Sequence, residues 1–186
     1  AAAVERQARE QLDRLTGQFT NYPPEPQTPG ALAGAIVYRM LVDSAGDLWV
    51  GTRGGLQRYN PASDDFTTYQ NDPENPHSLS SNLVWAMLED SQGNFWVGTR
   101  RGGLNLFDRQ TGEFSAYRHD PADPTSLSDD NVWSIFEDSS GRLWVTTENG
   151  GINLFDFQGG QFTAYKHNPG DPYSLSNNDI YWVAQD

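Results

Sequence analysis

Asp90-Ser91-Gln92-Gly93-Asn94-Phe95-Trp96-Val97 is the middle one of three related tracts. Asp43-Ser44-Ala45-Gly46-Asp47-Leu48-Trp49-Val50 precedes it by 47 residues, and Asp138-Ser139-Ser140-Gly141-Arg142-Leu143-Trp144-Val145 follows it by 48. A fourth register mark, Asp186, falls 48 residues further on. A period of this size built from short strand-like runs indicates the blades of a β-propeller.

Outward from the middle tract, each period resolves into four runs, here A to D. Val84 to Glu89 reads as strand A and Phe95 to Thr99 as strand B. Leu104 to Phe107 follows as strand C after Gly102-Gly103, and Phe114 to Tyr117 as strand D after Thr111-Gly112. The runs have strand length, β-branched and aromatic content, and Gly or Asp punctuation. The D strands carry Phe and Tyr three apart, at Phe66 and Tyr69, Phe114 and Tyr117, Phe162 and Tyr165. In a strand that spacing puts one ring on each face, which suits a sheet packed between two neighbours. The one length difference falls in a turn, where Arg53-Gly54-Gly55 is a residue shorter than Arg100-Arg101-Gly102-Gly103 and Glu148-Asn149-Gly150-Gly151.

These readings predict an all-β fold, a partial β-propeller of four-stranded antiparallel blades. Three complete blades cover about 36–69, 83–117 and 131–165, with flanking single strands at 18–22 and 179–185. At the N-terminus Val4, Ala8, Leu12 and Leu15 recur at helical spacing. Residues 1–15 are therefore expected to form a short helical linker, and 16–186 the propeller. Pro23-Pro24-Glu25-Pro26-Gln27-Thr28-Pro29 reads as a stiff extended connection.

Composition narrows the partners. The chain has 186 residues, 12 Lys and Arg, 25 Asp and Glu, and a net charge of −13. With no basic stripe to neutralise phosphates, nucleic acid is not an expected partner. The acidity also argues against contact with an anionic membrane surface, and no apolar run reaches membrane-span length. Cysteine is absent, which removes thiol chemistry and disulfides. There is no initiator Met, and the sequence stops where a new hairpin should begin. The reading is a piece of a longer protein, partnered by its remaining blades and downstream domains. An uncovered blade face of roughly 300 Å² would leave up to ~7 kcal/mol of burial unrealised. A chain of these residues alone is expected to self-associate, a homodimer included, or to stay partly molten.

The run from Ser126 to Val145, with Gly102-Gly103-Leu104-Asn105-Leu106-Phe107-Asp108 and Thr111-Gly112, resembles the two-component regulator propeller repeat. The likeness recurs in register over roughly residues 13 to 186. The resemblance implies the extracytoplasmic, in bacteria periplasmic, sensor of a hybrid histidine kinase or related signalling protein. Several such sensors are associated with glycans. No kinase segment is present in these residues, so no catalysis is assigned to them.

Each motif that could carry chemistry also admits a structural role. The Asp-Ser-x-Gly turns read as backbone-capping turns rather than cation sites, and Ser44, Ser91 and Ser139 stand where a sialidase Asp-box needs Asp. Gly-Gly after strand B reads as a hairpin turn, since no helix follows to bind phosphate. Asp120, Asp123, Asp129 and Asp130 could ligate calcium through oxygen, but solvated Asp-Pro turns are the commoner reading. His77, His119 and His167 are expected too far apart for a shared metal. No metal, cofactor or catalytic set is therefore predicted.

Tyr38, Trp85, Trp133 and Tyr181 each lie five residues before a register Asp and should stand at one radius near the channel mouth. They read either as packing between blades or as a platform for a sugar face. The D–A and B–C loops should share one face of the disc. That places Arg53, Arg100, Arg101, Glu148 and Asn149 beside them, as solvated charges or as a fork for an acidic saccharide. The leading functional reading is a non-catalytic module that senses an oligosaccharide or other small ligand. The alternatives are part of a propeller-fold carbohydrate-active enzyme or lyase, and a protein-protein scaffold.

Overall fold

In the computed structural model, which describes residues 10–12, 19–25 and 27–185, the predicted runs become strands. The first two, β1 (Glu10–Leu12) and β2 (Phe19–Asn21), pair antiparallel. Three four-stranded sheets follow, each ordered as in the sequence. Blade 1 is β3 (Val37–Val42), β4 (Leu48–Thr52), β5 (Gly55–Asn60) and β6 (Asp65–Tyr69). Blade 2 is β7 (Val84–Glu89), β8 (Phe95–Thr99), β9 (Gly103–Phe107) and β10 (Phe114–Tyr117). Blade 3 is β11 (Val132–Glu137), β12 (Leu143–Thr147), β13 (Ile152–Asp156) and β14 (Gln161–Tyr165). All pairs are antiparallel, and the bounds meet the expected blades within a residue or two. The fold is an all-β partial propeller.

Two expectations at the ends are corrected. Glu10–Leu12 lies in the stretch read as helical, yet it is a strand, with Gln11 opposite Thr20. The strand at Phe19–Asn21 presents unpaired backbone groups, and pairing them outweighs a weak helical period. It is therefore not a lone strand. The rest of the proposed helix, residues 1–9 and 13–15, lies outside the described residues. Residues 179–185 carry no ladder and do not form a strand.

The core lies between blades. Trp49, Leu56, Leu79 and Val84 pack with Phe95, Val97, Phe107 and Phe114 in the layer joining blades 1 and 2. Trp96, Leu104, Leu127 and Val132 pack with Leu143, Val145, Phe155 and Phe162 between blades 2 and 3. The two D-strand rings behave as their spacing requires. Tyr69 turns to the next blade and meets Phe107 at 4.8 Å, while Phe66 of the same strand packs with Leu32, Val37 and Val50 at 5% exposure.

Each D–A loop is pinned to the blade it leads into. Buried Asn105 accepts the Ser80 N–H at 3.1 Å, and Asn153 accepts that of Ser128 at 3.1 Å. Gln57 does the same for Ala33 at 2.8 Å. The same loops cover the outer edges, as Phe114 N–H donates to His77 O and Phe162 N–H to Thr125 O. Among the described residues no helix is long and apolar enough to cross a membrane.

Candidate functional site

Every strand A carries a β-bulge at the residue that holds its ring. Pairing slips between Val37 and Arg39, between Val84 and Ala86, and between Val132 and Ser134. The residues left over are Tyr38, Trp85 and Trp133. A bulge inserts one unpaired residue and re-aims its side chain. Here the repeated bulges bring three rings into one line across the blades. Tyr38 meets Trp85 edge-on at 6.1 Å, Trp85 stacks on Trp133 at 4.2 Å and 13°, and Trp133 meets Tyr181 at 4.7 Å. Tyr38, Trp85 and Trp133 are half-buried, and Tyr181 is 62% exposed. The four candidate rings thus form one ladder. Trp85 and Trp133 cover one another's faces, so the ladder is packing between blades and offers edges, plus the open Tyr181 ring, to a partner.

The B–C turns border this ladder. Arg53 N–H donates to Ile36 O, Arg100 N–H to Leu83 O and Glu148 N–H to Asn131 O, which seats each turn against the start of its own strand A. Gly103 N–H donates to Asp130 O, tying the same turn to the following D–A loop. The two loop sets therefore share one face. Arg100 places its guanidinium carbon 5.0 Å from the Trp85 ring centroid, a cation–π contact. Arg53 and Arg101 are exposed. Arg101 holds a left-handed φ of 66°, and its N–H donates to Asn131 Oδ1 at 3.0 Å.

The far end of the ladder is acidic. Trp133 Nε1–H donates to Asp179 Oδ1 at 3.1 Å. The Asp179 carboxylate pushes the Tyr181 phenol above its ordinary range, and Glu148 adds to that. Asn149 is exposed and donates a long 3.5 Å bond to Asp129. Sequence reading missed Asp179 and Asn131, the residues that fix the indole and the turn. The available signal was their register, 48 residues apart and two before Trp133 and Tyr181.

The other candidates have structural work. The Asp43, Asp90 and Asp138 carboxylates each accept two turn N–H groups and the indole N–H of Trp49, Trp96 or Trp144. The loop acids considered for calcium cap their own turns. Asp120 accepts from Ala122, Asp123 from Thr125, Asp129 from Asn131 and Asp130 from His119. Among the described residues no group of three or more His, Cys, Asp or Glu is placed to hold a metal ion. His119 Nδ1 and His167 Nδ1 each bond a loop carbonyl, of Leu127 and Leu175, and since a carbonyl only accepts, both rings carry the proton on Nδ1.

The repeats define a class, an array of four-stranded propeller blades, and comparison identifies the repeat. The two component regulator propeller family matches residues 31–54, 78–101 and 126–149. Three copies of that family's repeat lie in the chain. Among solved structures it resembles the extracellular domain of a protein from B. thetaiotaomicron assigned to the hybrid two component systems, with 28% identity and a TM-score of 0.72 over 82% of this chain and 21% of that one. A second such domain from B. thetaiotaomicron matches at 22% identity and a TM-score of 0.71, over 92% of this chain and 21% of that one. Virginiamycin B lyase from Staphylococcus aureus shares the fold at 20% identity and a TM-score of 0.59, over 84% and 47% of the two chains. No curated protein matches. The chain spans about a fifth of the extracellular domains it resembles.

Proposed function

We propose that this chain is the recognition part of an extracytoplasmic sensor, probed on its loop face by a small ligand, with an oligosaccharide as the leading class. The carrying observation is the ring ladder from Tyr38 to Tyr181, which runs unbroken across the blades beneath the B–C turns. Rings held in line by bulges give a ligand one surface that spans blades. A ligand seated there favours one spacing of the blades and one docking of the propeller on its neighbour. It signals only through its different affinity for two such arrangements.

The support is the family, the extracellular relatives and this geometry. The test is calorimetric titration of the intact protein with a broad glycan panel, alongside tryptophan fluorescence. Binding is expected to perturb the stacked Trp85 and Trp133 pair, and Trp133→Phe is expected to remove most of the optical change. Silence across the panel would count against the reading.

A further inference from the structure

The ladder differs chemically at its two ends. Blades 1 and 2 carry Arg53, Arg100 and Arg101 in their B–C turns, where blade 3 carries Glu148 and Asn149. Among the described residues the arginines that form ion pairs are Arg58, Arg109 and Arg142. Among the described residues Arg53, Arg100 and Arg101 have no carboxylate partner. These three stand in matching turns of neighbouring blades, in a chain with 25 acids to 12 cations.

A second observation sits under the same turn. Trp133 gives its indole N–H to Asp179. The residue in that register for Trp85 is Asn131, and its Oδ1 is taken by the Arg101 backbone N–H. That bond holds Arg101 in the left-handed region, which a side chain of its kind rarely adopts. The Trp85 indole N–H is consequently buried without a protein partner, and so is Arg100 Nε, whose guanidinium lies over the same ring. Buried donors in native structures are almost always matched, so two unmatched ones at one ring mark a place for an acceptor, a water or a ligand atom. Backbone strain beside them is a further mark of a functional turn.

We propose that the B–C turn of blade 2 is a subsite for an oxyanion, a carboxylate or sulfate carried on a flat-faced body, with Arg100 and Arg101 as its cationic contacts. The inference rests on the ligand reading above and adds the charge class and the orientation. Arg100 is held by an aromatic face rather than by an acid, so its guanidinium can offer an N–H edge to an incoming anion while its flat face stays over Trp85. A guanidinium presents paired N–H groups that match the two oxygens of a carboxylate. Glu148 and Asp179 repel an anion at the far end, so the ligand's charged group lies over blades 1 and 2.

The test titrates the intact protein, at fixed ionic strength, with sodium glucuronate, sodium benzoate, sodium sulfate and glucose, read by calorimetry and tryptophan fluorescence. Glucuronate is expected to saturate, with glucose at least tenfold weaker. A matching response to benzoate or sulfate assigns the site to the oxyanion on another body or alone, and a response to glucuronate only assigns it to an acidic sugar. Arg100→Gln and Arg101→Gln should each weaken glucuronate at least tenfold, and Arg142→Gln, in the A–B turn of blade 3, should not. Arg101 is exposed, so its variant keeps the test open if Arg100→Gln fails to fold by near-ultraviolet circular dichroism. Glucose binding as tightly as glucuronate, or glucuronate binding unchanged in Arg101→Gln, overturns the oxyanion subsite and leaves the wider reading standing. Silence toward these four probes with binding of larger neutral glycans does the same, and silence toward both sets ends both.

Discussion

One carboxylate organises each A–B hairpin. Asp90 Oδ1 accepts the N–H groups of Gln92 at 3.0 Å and Asn94 at 2.8 Å, and Oδ2 accepts the Trp96 indole at 2.8 Å. Trp96 is 1% exposed, so the bond joins two groups that water does not reach. Trp96→Phe keeps much of the packing and removes one donor from a buried charge. It should cost about 1–3 kcal/mol in urea denaturation, against about 3–5 for Trp96→Ala, which also opens a cavity. The same bonds set acid sensitivity. Trp144's indole, with the Arg142 side chain and two turn N–H groups, holds the Asp138 carboxyl at about 2 against an ordinary 3.8. Burial pushes Asp43 and Glu89 up, but their hydrogen bonds, including those from Arg109, win and hold both below the ordinary range. A carboxylate whose folded value is depressed lends stability that is complete above its unfolded value and is lost as pH falls through its folded one. The urea midpoint should hold from about pH 7 to about pH 5, and then fall from about pH 4 towards pH 2. A midpoint that rises on acidification would contradict this. The turn-capping role of these Asp residues was legible from Asp-Ser-x-Gly alone. The indole bond was not, because it depends on how strand B lies against the turn.

Blades are held to each other by a repeated clasp. Ser44 N–H and Oγ–H donate to Glu89 at 2.6 and 3.0 Å, and those of Ser91 donate to Glu137 at 2.7 and 2.6 Å. At the third position Ser139 N–H donates to Gln185 Oε1 at 2.8 Å, and Gln185 Nε2–H donates back to Ser139 Oγ at 2.9 Å. An amide thus performs the task by reversing the hydroxyl's role. Glu137→Gln should therefore shift stability by less than about 1 kcal/mol, whereas Glu137→Ala should cost about 1–2, read as urea midpoints. Equal losses in the two variants would mean that charge, not the hydrogen-bond pair, makes the clasp. Close approach matters as much. A Cβ on Gly98 would come within 2.5 Å of Val132 Cγ1 in the next blade and 3.0 Å of Ala86 Cβ. Gly98→Ala should cost about 1–3 kcal/mol through overpacking. At the element scale strand order and blade bounds were readable, since alternation, rings and turn residues agreed. The clasps and bulges were not. Ser91 and Glu137 lie 46 residues apart and meet only once the blade spacing is known. A bulge at Trp85 leaves the period of the repeat untouched. The helical spacing of Val4, Ala8 and Leu12 misled at Leu12, because a strand edge at Phe19–Asn21 competed for the same backbone.

Across the whole molecule the equivalent tryptophans differ in cover. Trp49 packs on Phe95 and Phe107 of the next blade, and Trp96 on Phe155 and Phe157. Trp144 is half-buried and has Tyr165 of its own blade at 5.9 Å. Tyr165 is 46% exposed, and in the segment after blade 3 Tyr181 is 62% and Trp182 70% exposed. A large apolar side chain left in water forgoes about 1.5–3 kcal/mol of burial, so a few together favour a second surface strongly enough to associate. The net charge of −13 opposes that, because two copies repel. The balance should depend on salt, since the screening length falls from about 30 Å at 0.01 M to about 10 Å at 0.1 M. Residues 1–186 alone are therefore expected to sediment with a mass that rises with protein concentration and with salt, towards a dimer. Tyr165→Ser with Trp182→Ser should restore a monomer at the same salt, while Tyr173→Ser, at a 95% exposed loop position, should change little. A monomer at every concentration and salt would show that the open face of blade 3 is satisfied by water and its own blade, and that cover from a neighbour is not what this end of the array requires.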